Sequence, residues 1–200
     1  MEEYKKETIK SYNKNAKNFS EKFKKLMDLK RRHEFQRFIE LLSGDKILDL
    51  GCGSGAHSYY FSSKGLNVTS IDISEEIINL CKEKGLNAFV MDIEDLKFED
   101  DSFDGIWAVT SLLHVPKPKI TAVINKIYKI LRKEGILYIC VKEGEGEGLI
   151  KDKDSDSRRF FAFWKKEELL ELFKENFNLI EFGKTRLGNI VFLGGFFRKA

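Results

Sequence analysis

Ten residues constrain this chain more than any others: Lys46-Ile-Leu-Asp-Leu-Gly-Cys-Gly-Ser-Gly55. A short apolar run leads into Asp49-Leu50. Glycines then hold the alternate positions Gly51, Gly53 and Gly55, and a helical pattern opens at Ala56 and His57. The pattern reads as a buried strand, a tight turn and a helix N-terminus. Glycines there let the backbone turn sharply and let a ligand approach main chain that carries no side chain.

The rest of the chain follows this opening. Asn67–Asp72 reads as a second strand, ending in a carboxylate about 20 positions beyond the turn, where a dinucleotide-type fold holds a ribose. Ser74 caps the next helix, with Ile77, Ile78, Leu80 and Cys81 inward and Gly85 at its close. Ala88–Met91 is a third strand, followed by Asp92-Ile93-Glu94-Asp95, in which Glu94 and Asp95 are expected to face solvent or cap a helix. Ile106–Val109 is a fourth strand with Trp107 in the core, and it runs into the loop Thr110-Ser-Leu-Leu-His114. A helix over 119–131 and a fifth strand over 136–141 come next. The runs 142–148 and 152–157 have a mobile composition, and the basic-aromatic block Arg158-Arg-Phe-Phe-Ala-Phe-Trp164 follows them. The chain ends in a helix over 165–176 and a hairpin of strands over 178–182 and 190–197. Before all this, residues 2–44 are lysine-rich and helical, with one stripe through Tyr4, Ile9, Tyr12, Ala16 and Phe19 and another through Leu29, Phe35, Phe38, Ile39 and Leu42. The basic cluster Lys22, Lys24, Lys25, Lys30, Arg31 and Arg32 is either an anion-attracting patch or a solvated helix face.

On Asp-Leu-Gly-Cys-Gly-Ser-Gly55, and on Asp100-Asp-Ser-Phe-Asp104 before the fourth strand, the chain resembles the class I S-adenosylmethionine (SAM)-dependent methyltransferases, of the small-molecule type seen in ubiquinone and menaquinone biosynthesis. The resemblance implies a single domain over 1–200 with 1–44 as a helical cover. It implies an α/β, Rossmann-like, doubly wound sheet of seven mostly parallel strands with a C-terminal antiparallel hairpin and helices on both faces. It assigns Asp49, Gly51, Cys52, Gly53 and Gly55 to the methionine part of SAM, Asp72 with Ile73 to the ribose, and Asp92 with Ile93 to the adenine. Tyr12 and Phe19 would fold over the bound cofactor. His114 is the candidate general base, near the transferred methyl group. Arg158, Arg159, Phe161 and Trp164 are candidates for a substrate-side lid, with packing of that block on the core as the equal alternative.

Composition narrows the classes. A net charge of +3 is too small to argue for nucleic acid, and no apolar run reaches membrane-spanning length, so a cytoplasmic protein is expected. The three cysteines have no metal-type spacing and read as buried reduced thiols. Ser111-Leu-Leu-His-Val-Pro116 stands where base-amine methyltransferases carry an Asn-Pro-Pro-Tyr-like box, which favours a small-molecule acceptor. Two other classes stay open: an NAD(P)-dependent oxidoreductase, because Gly51-Cys-Gly-Ser-Gly-Ala56 also satisfies its glycine pattern, and a non-catalytic SAM-binding protein. Oligomeric state is not legible.

Overall fold

The computed structural model describes residues 1–30, 32–151 and 156–200, with the side chains of all of these except 22–30 and 32. The basic cluster at 22–32, Leu29 of the second stripe and positions 152–155 of the expected mobile run therefore lie outside the described residues.

Helices α1 (Glu3–Lys30) and α2 (Arg32–Leu41) precede the sheet. The chain continues through β1 (Lys46–Leu50), α3 (Ala56–Ser63), β2 (Asn67–Asp72), α4 (Glu75–Glu83), β3 (Ala88–Val90), β4 (Phe103–Val109), α5 (Lys117–Ile130) and β5 (Leu131–Lys142). It ends with β6 (Glu147–Lys151), β7 (Arg158–Ala162), α6 (Lys166–Phe173), β8 (Phe177–Leu187) and β9 (Ile190–Lys199). Seven strands form one sheet in the order β3-β2-β1-β4-β5-β9-β8. β1 to β5 pair in parallel, and β9 lies antiparallel between β5 and β8. This is the α/β, doubly wound, Rossmann-like sheet expected. Its strand order reverses between β1 and β4, which opens a crevice at the strands' carboxyl ends.

Why these residues make strands is visible in their alternation. Leu48 and Leu50 of β1, Ile106 and Ala108 of β4, and Leu137, Ile139 and Val141 of β5 enter one core layer. Ile47, Trp107, Val109, Ile136, Tyr138 and Cys140 enter the other. Strands covered on both faces need continuous apolar runs, and these are such runs. α5 closes the first layer with Ile120, Val123, Ile124, Ile127 and Ile130. Phe35 and Phe38 of α2 and Phe61 of α3 close the second around Trp107, which is fully buried. The indole is stacked at 5.1 Å on Phe35 and 4.3 Å on Tyr138. Truncating a ring in such a cluster costs about 3–5 kcal/mol. Ser74 caps α4 by accepting from the Ile77 N–H at 3.2 Å.

Several expectations change; β5, for one, begins at Leu131 and takes in the expected turn at 132–135. The glycine–glutamate run is not wholly loop: 147–151 form β6, which pairs with β7 in a separate two-stranded sheet, because Leu149 stands opposite Phe160 and gives the ribbon an apolar side. α5 starts earlier than expected, at Lys117, since Pro118 is tolerated in a helix's first turn. β8 extends to Leu187, which faces Ile190 across Gly188-Asn189. No helix among the described residues is long and apolar enough to cross a membrane.

Candidate active site

The glycine turn leaves β1 and folds back on β2, with the N–H groups of Gly51 and Cys52 both donating to the Ile71 carbonyl at 2.9 and 2.8 Å. Gly51 and Gly53 adopt φ of 75° and 51°, a region side chains rarely enter. A Cβ on Gly51 would lie 2.4 Å from the Cβ of Ser111, but one on Gly53 would meet no heavy atom within 4 Å. Gly51 is thus glycine for packing, whereas Gly53 borders open space that a side chain would fill.

Asp72 stands at the end of β2 and pins this turn. Its Oδ2 accepts from the Gly53 N–H at 3.1 Å and its Oδ1 from the Ser74 N–H at 3.0 Å. Burial pushes its carboxyl up to about 6, against those backbone bonds, which pull it down. A carboxylate offers about four acceptor positions, so two backbone donors leave capacity for two hydroxyls. Beyond β3, Asp92 accepts from the Glu94 N–H at 2.9 Å and from Lys5 Nζ of α1 at 2.6 Å. Glu94 is not solvent-facing as expected. It accepts from Tyr4 Oη at 2.5 Å and pairs with Lys5 and Lys119 at 3.0 and 3.2 Å, which holds its carboxyl below the usual range despite burial.

A cavity of about 280 Å³ runs from the glycine turn to the β8–β9 hairpin, near the small end of ligand-pocket sizes. Of the residues assigned to the cofactor, Tyr12, Gly51, Cys52, Gly53, Asp72, Ile73, Asp92 and Ile93 line it, and so does His114. Phe19, Asp49 and Gly55 do not. Asp49 is buried beneath the turn, where its Oδ2 accepts from Ser58 Oγ at 2.6 Å and Ser58 in turn accepts from Ser70 Oγ at 2.8 Å. Desolvation raises its carboxyl to about 7, opposed by the Ser58 bond and helped by the nearby Asp72 charge. Asp49 ties α3 to β1 and β2 and does not line the cavity. Gly55 begins α3 at φ 74°, and a Cβ there would strike Leu86. Cys52 Sγ lies 3.8 Å from Cys81 Sγ, and all three cysteines are buried and free.

The lid candidates also fall outside the cavity lining. Arg158 pairs with Glu7 at 3.4 Å on the surface. Trp164 is buried under Lys117, whose Nζ sits 4.7 Å from its ring centre. Phe161 packs behind the site, its ring 5.0 Å from that of His114. Arg159 acts through a neighbour: its Nη1 donates to Tyr12 Oη at 3.1 Å and its guanidinium covers the Phe19 ring at 4.6 Å. Tyr12 Oη stands 2.7 Å from His114 Nε2, and His114 Nδ1 stands 2.5 Å from the Phe160 carbonyl. A carbonyl only accepts, so a neutral His114 carries its proton on Nδ1 and its Nε2 accepts from Tyr12. The N-terminal helix and the loop after β4 therefore meet through a tyrosine–histidine pair.

The far half of the cavity was not foreseen. His33 and Glu34 of α2, His57 of α3, Tyr138 of β5, and Glu181, Lys184, Phe192 and Phe196 of the terminal hairpin line it. Each looks like packing or surface in one dimension. Beyond Phe182 the run Gly183-Lys-Thr-Arg-Leu187 has no apolar alternation, so nothing in it marked the hairpin as long enough to form a wall. Between the halves, Ser111 Oγ is buried with no hydrogen-bond partner among the described residues, and Thr110 adopts φ 56°, the kind of backbone strain that clusters at ligand sites. An open glycine, an unsatisfied hydroxyl and two carboxylates on one crevice fit a nucleoside bearing an amino-acid chain.

The strand order with its antiparallel β9, joined to this turn and these acids, is similar to that of class I SAM-dependent methyltransferases. More particularly, residues 47–135 match the family model described as a methyltransferase domain. The ubiquinone biosynthesis O-methyltransferase of Xanthomonas oryzae pv. oryzae is 34% identical over 105 residues, which cover 49% of this chain and 43% of that protein. The chain thus spans less than half the length of that curated relative. A SAM-dependent methyltransferase from Methanosarcina mazei superposes with a TM-score of 0.72 at 26% identity, covering 82% of this chain and 96% of that one. DhpI, solved with S-adenosylhomocysteine, superposes with a TM-score of 0.79 at 22% identity over 98% of this chain and 97% of its own, a likeness of fold.

Proposed function

We propose that this chain, as one domain with residues 1–44 as its helical cover, transfers a methyl group from SAM to a small-molecule acceptor in the cytoplasm. The observation that carries the reading is a single cavity shared by the open Gly53 turn and the carboxylates Asp72 and Asp92. When bound, SAM supplies a methyl group on a sulfonium, open to in-line displacement. Asp72 accepts from the ribose hydroxyls. Asp92 accepts from the adenine amine once Lys5 yields it, and the Ile93 N–H serves the ring. Gly51, Cys52 and Gly53 bound the methionine part, with Ser111 Oγ as a further donor. Tyr12 closes over the top. His114, with its proton on Nδ1 held by the Phe160 carbonyl, keeps a basic Nε2, so a proton leaving the acceptor passes to it directly or by way of Tyr12. The remaining tasks are orientation of the acceptor and exclusion of water.

Isothermal titration with S-adenosylhomocysteine and with NADH tests the cofactor. The first should bind and the second should not; the reverse replaces this reading with an oxidoreductase. Asp72→Ala should weaken S-adenosylhomocysteine by tenfold or more, on the order of the 1.4 kcal/mol that two charge-assisted bonds exceed. Unchanged affinity would remove the ribose assignment. Formation of S-adenosylhomocysteine from SAM in the presence of an acceptor panel separates an enzyme from a SAM-binding protein without turnover.

A further inference from the structure

At the nucleobase end of the cavity, we propose that Lys5 is a specificity-determining residue: its ammonium, seated on Asp92, makes that end admit a 6-oxopurine nucleoside as well as an adenine one. The nucleoside rests on the methyl-transfer reading; the seating of Lys5 on Asp92 does not.

Lys5 reaches from the first turns of α1 to the loop after β3. Its Nζ stands 2.6 Å from Asp92 Oδ2 and 3.0 Å from Glu94 Oε1. The two carboxylates are not equivalent. Glu94 also holds Tyr4 Oη at 2.5 Å and Lys119 Nζ at 3.2 Å, and its side chain is 15% exposed. Asp92 accepts from Lys5 and from the Glu94 N–H at 2.9 Å, and its side chain is 27% exposed. Asp92 is thus the carboxylate with capacity to spare. Lys5 and Asp92 both line the cavity, so a base edge set against Asp92 meets an acceptor and a cationic donor together.

A carboxylate only accepts and an ammonium only donates. By itself Asp92 would suit the amine of adenine and repel the carbonyl oxygen of a 6-oxopurine. With Lys5 beside it, the pair matches the second base too. The carbonyl accepts from Lys5, and the neighbouring ring N–H of the 6-oxopurine donates to Asp92. An ammonium has three N–H groups, so its two carboxylate partners among the described residues leave one for the base. The bond it makes is charge-assisted. An adenine amine gains no such bond and shares Asp92 with Lys5. The Ile93 N–H is the opposing influence, because it suits the bare ring nitrogen of adenine. Adenine therefore stays preferred, and Lys5 narrows its margin.

The test compares S-adenosylhomocysteine with S-inosylhomocysteine, its 6-oxo counterpart, by isothermal titration on the full chain, on Lys5→Met and on Lys119→Met. The two ligands differ only at the base edge, so the ratio of their dissociation constants cancels any loosening of α1. The parent protein should bind both. In Lys5→Met the ratio should widen in favour of adenine by about fivefold or more. A parent that binds S-adenosylhomocysteine alone, or a ratio that is unchanged or narrowed in Lys5→Met, overturns the proposal. Lys119 bonds Glu94 without lining the cavity, so Lys119→Met should keep the ratio within about twofold of the parent's. A widening there equal to that of Lys5→Met would assign the effect to the charge of the whole cluster and overturn the direct role of Lys5. A crystal structure of the parent with S-inosylhomocysteine should place Lys5 Nζ within about 3.2 Å of the base carbonyl; a carbonyl beyond that reach overturns the role as well. Failure of the cofactor reading would appear differently, as no S-adenosylhomocysteine binding by the parent protein, and would remove this proposal with it.

Discussion

Asp49 and Asp72 are both withdrawn from bulk water at the ends of adjacent strands, and the contrast between them shows what position does to a carboxyl group. Asp49 has side-chain hydroxyls for company and no access to the cavity. Its carboxyl rises from 3.8 to about 7, so the folded protein keeps a proton there that the unfolded chain releases from about pH 4 upward. A raised carboxyl gives stability that is full below the unfolded value and is lost as pH rises through the folded one. Urea-unfolding stability should therefore fall between about pH 4 and 7, with Asp49 contributing roughly 4 kcal/mol at most for a shift of about three units and Asp72, raised to about 6, adding to the fall below pH 6. Asp49→Asn keeps the shape and the acceptor for Ser58, and it should flatten this dependence; a parallel pH profile in the variant would contradict it. His114 belongs to the same scale. His114→Ala should lower turnover while sparing S-adenosylhomocysteine affinity, and Tyr12→Phe should do so more mildly if the histidine is the final proton acceptor. Full turnover in His114→Ala would leave the ring a packing role. That Asp72, Asp92, Gly51 and Gly53 would meet at one sheet edge was legible beforehand because each ends or closely follows a strand. The Tyr12–His114 contact was not, since it joins positions that only the folded chain brings together.

At the scale of elements, α1 is the piece whose behaviour the structure defines most sharply. Its first turns are clasped to the loop after β3 by Tyr4–Glu94, Lys5–Asp92, Lys5–Glu94 and a Lys119 bridge to Glu2 and Glu94. Its buried face is partly polar: Thr8 Oγ1 accepts from the Phe160 N–H at 3.0 Å, and Ser11 Oγ meets Ser157 Oγ at 2.9 Å. An apolar-stripe reading could not register these positions, because a buried serine or threonine looks like surface in sequence. Of these pairs only Lys119–Glu2 is exposed, where an ion pair is weak and screened by salt; those to Asp92 and Glu94 are part-buried. Deleting residues 1–20 should speed S-adenosylhomocysteine release by tenfold or more in stopped-flow displacement while the sheet stays folded by circular dichroism. Unaltered release would reduce the helix to packing.

For the whole molecule, the parallel half of the sheet was readable because buried strands carry unbroken apolar runs and helices between them carry a 3.6 period. The hairpin β8–β9 was recognised as an ending but not as a wall, since its cavity-facing residues alternate with exposed ones and share no chemistry of their own. A ligand spanning Asp92 to Phe196 would touch β1 to β4, α1 and the hairpin at once. Saturation with S-adenosylhomocysteine at about 100 times its dissociation constant should thus add about 2.7 kcal/mol to unfolding, seen as a single sharpened thermal transition. Two transitions, with only one moved by ligand, would mean that the hairpin melts apart from the cofactor half.

The peptide group on either side of Phe160 has a consequence for traffic through the molecule. Its N–H is held by Thr8 of α1, and its carbonyl steadies His114. A displacement of α1 would break the Thr8 contact and so disturb the strand whose carbonyl orients the imidazole. If α1 is the cover and His114 takes the proton, as proposed, one residue would couple opening of the cavity to loss of the aligned base.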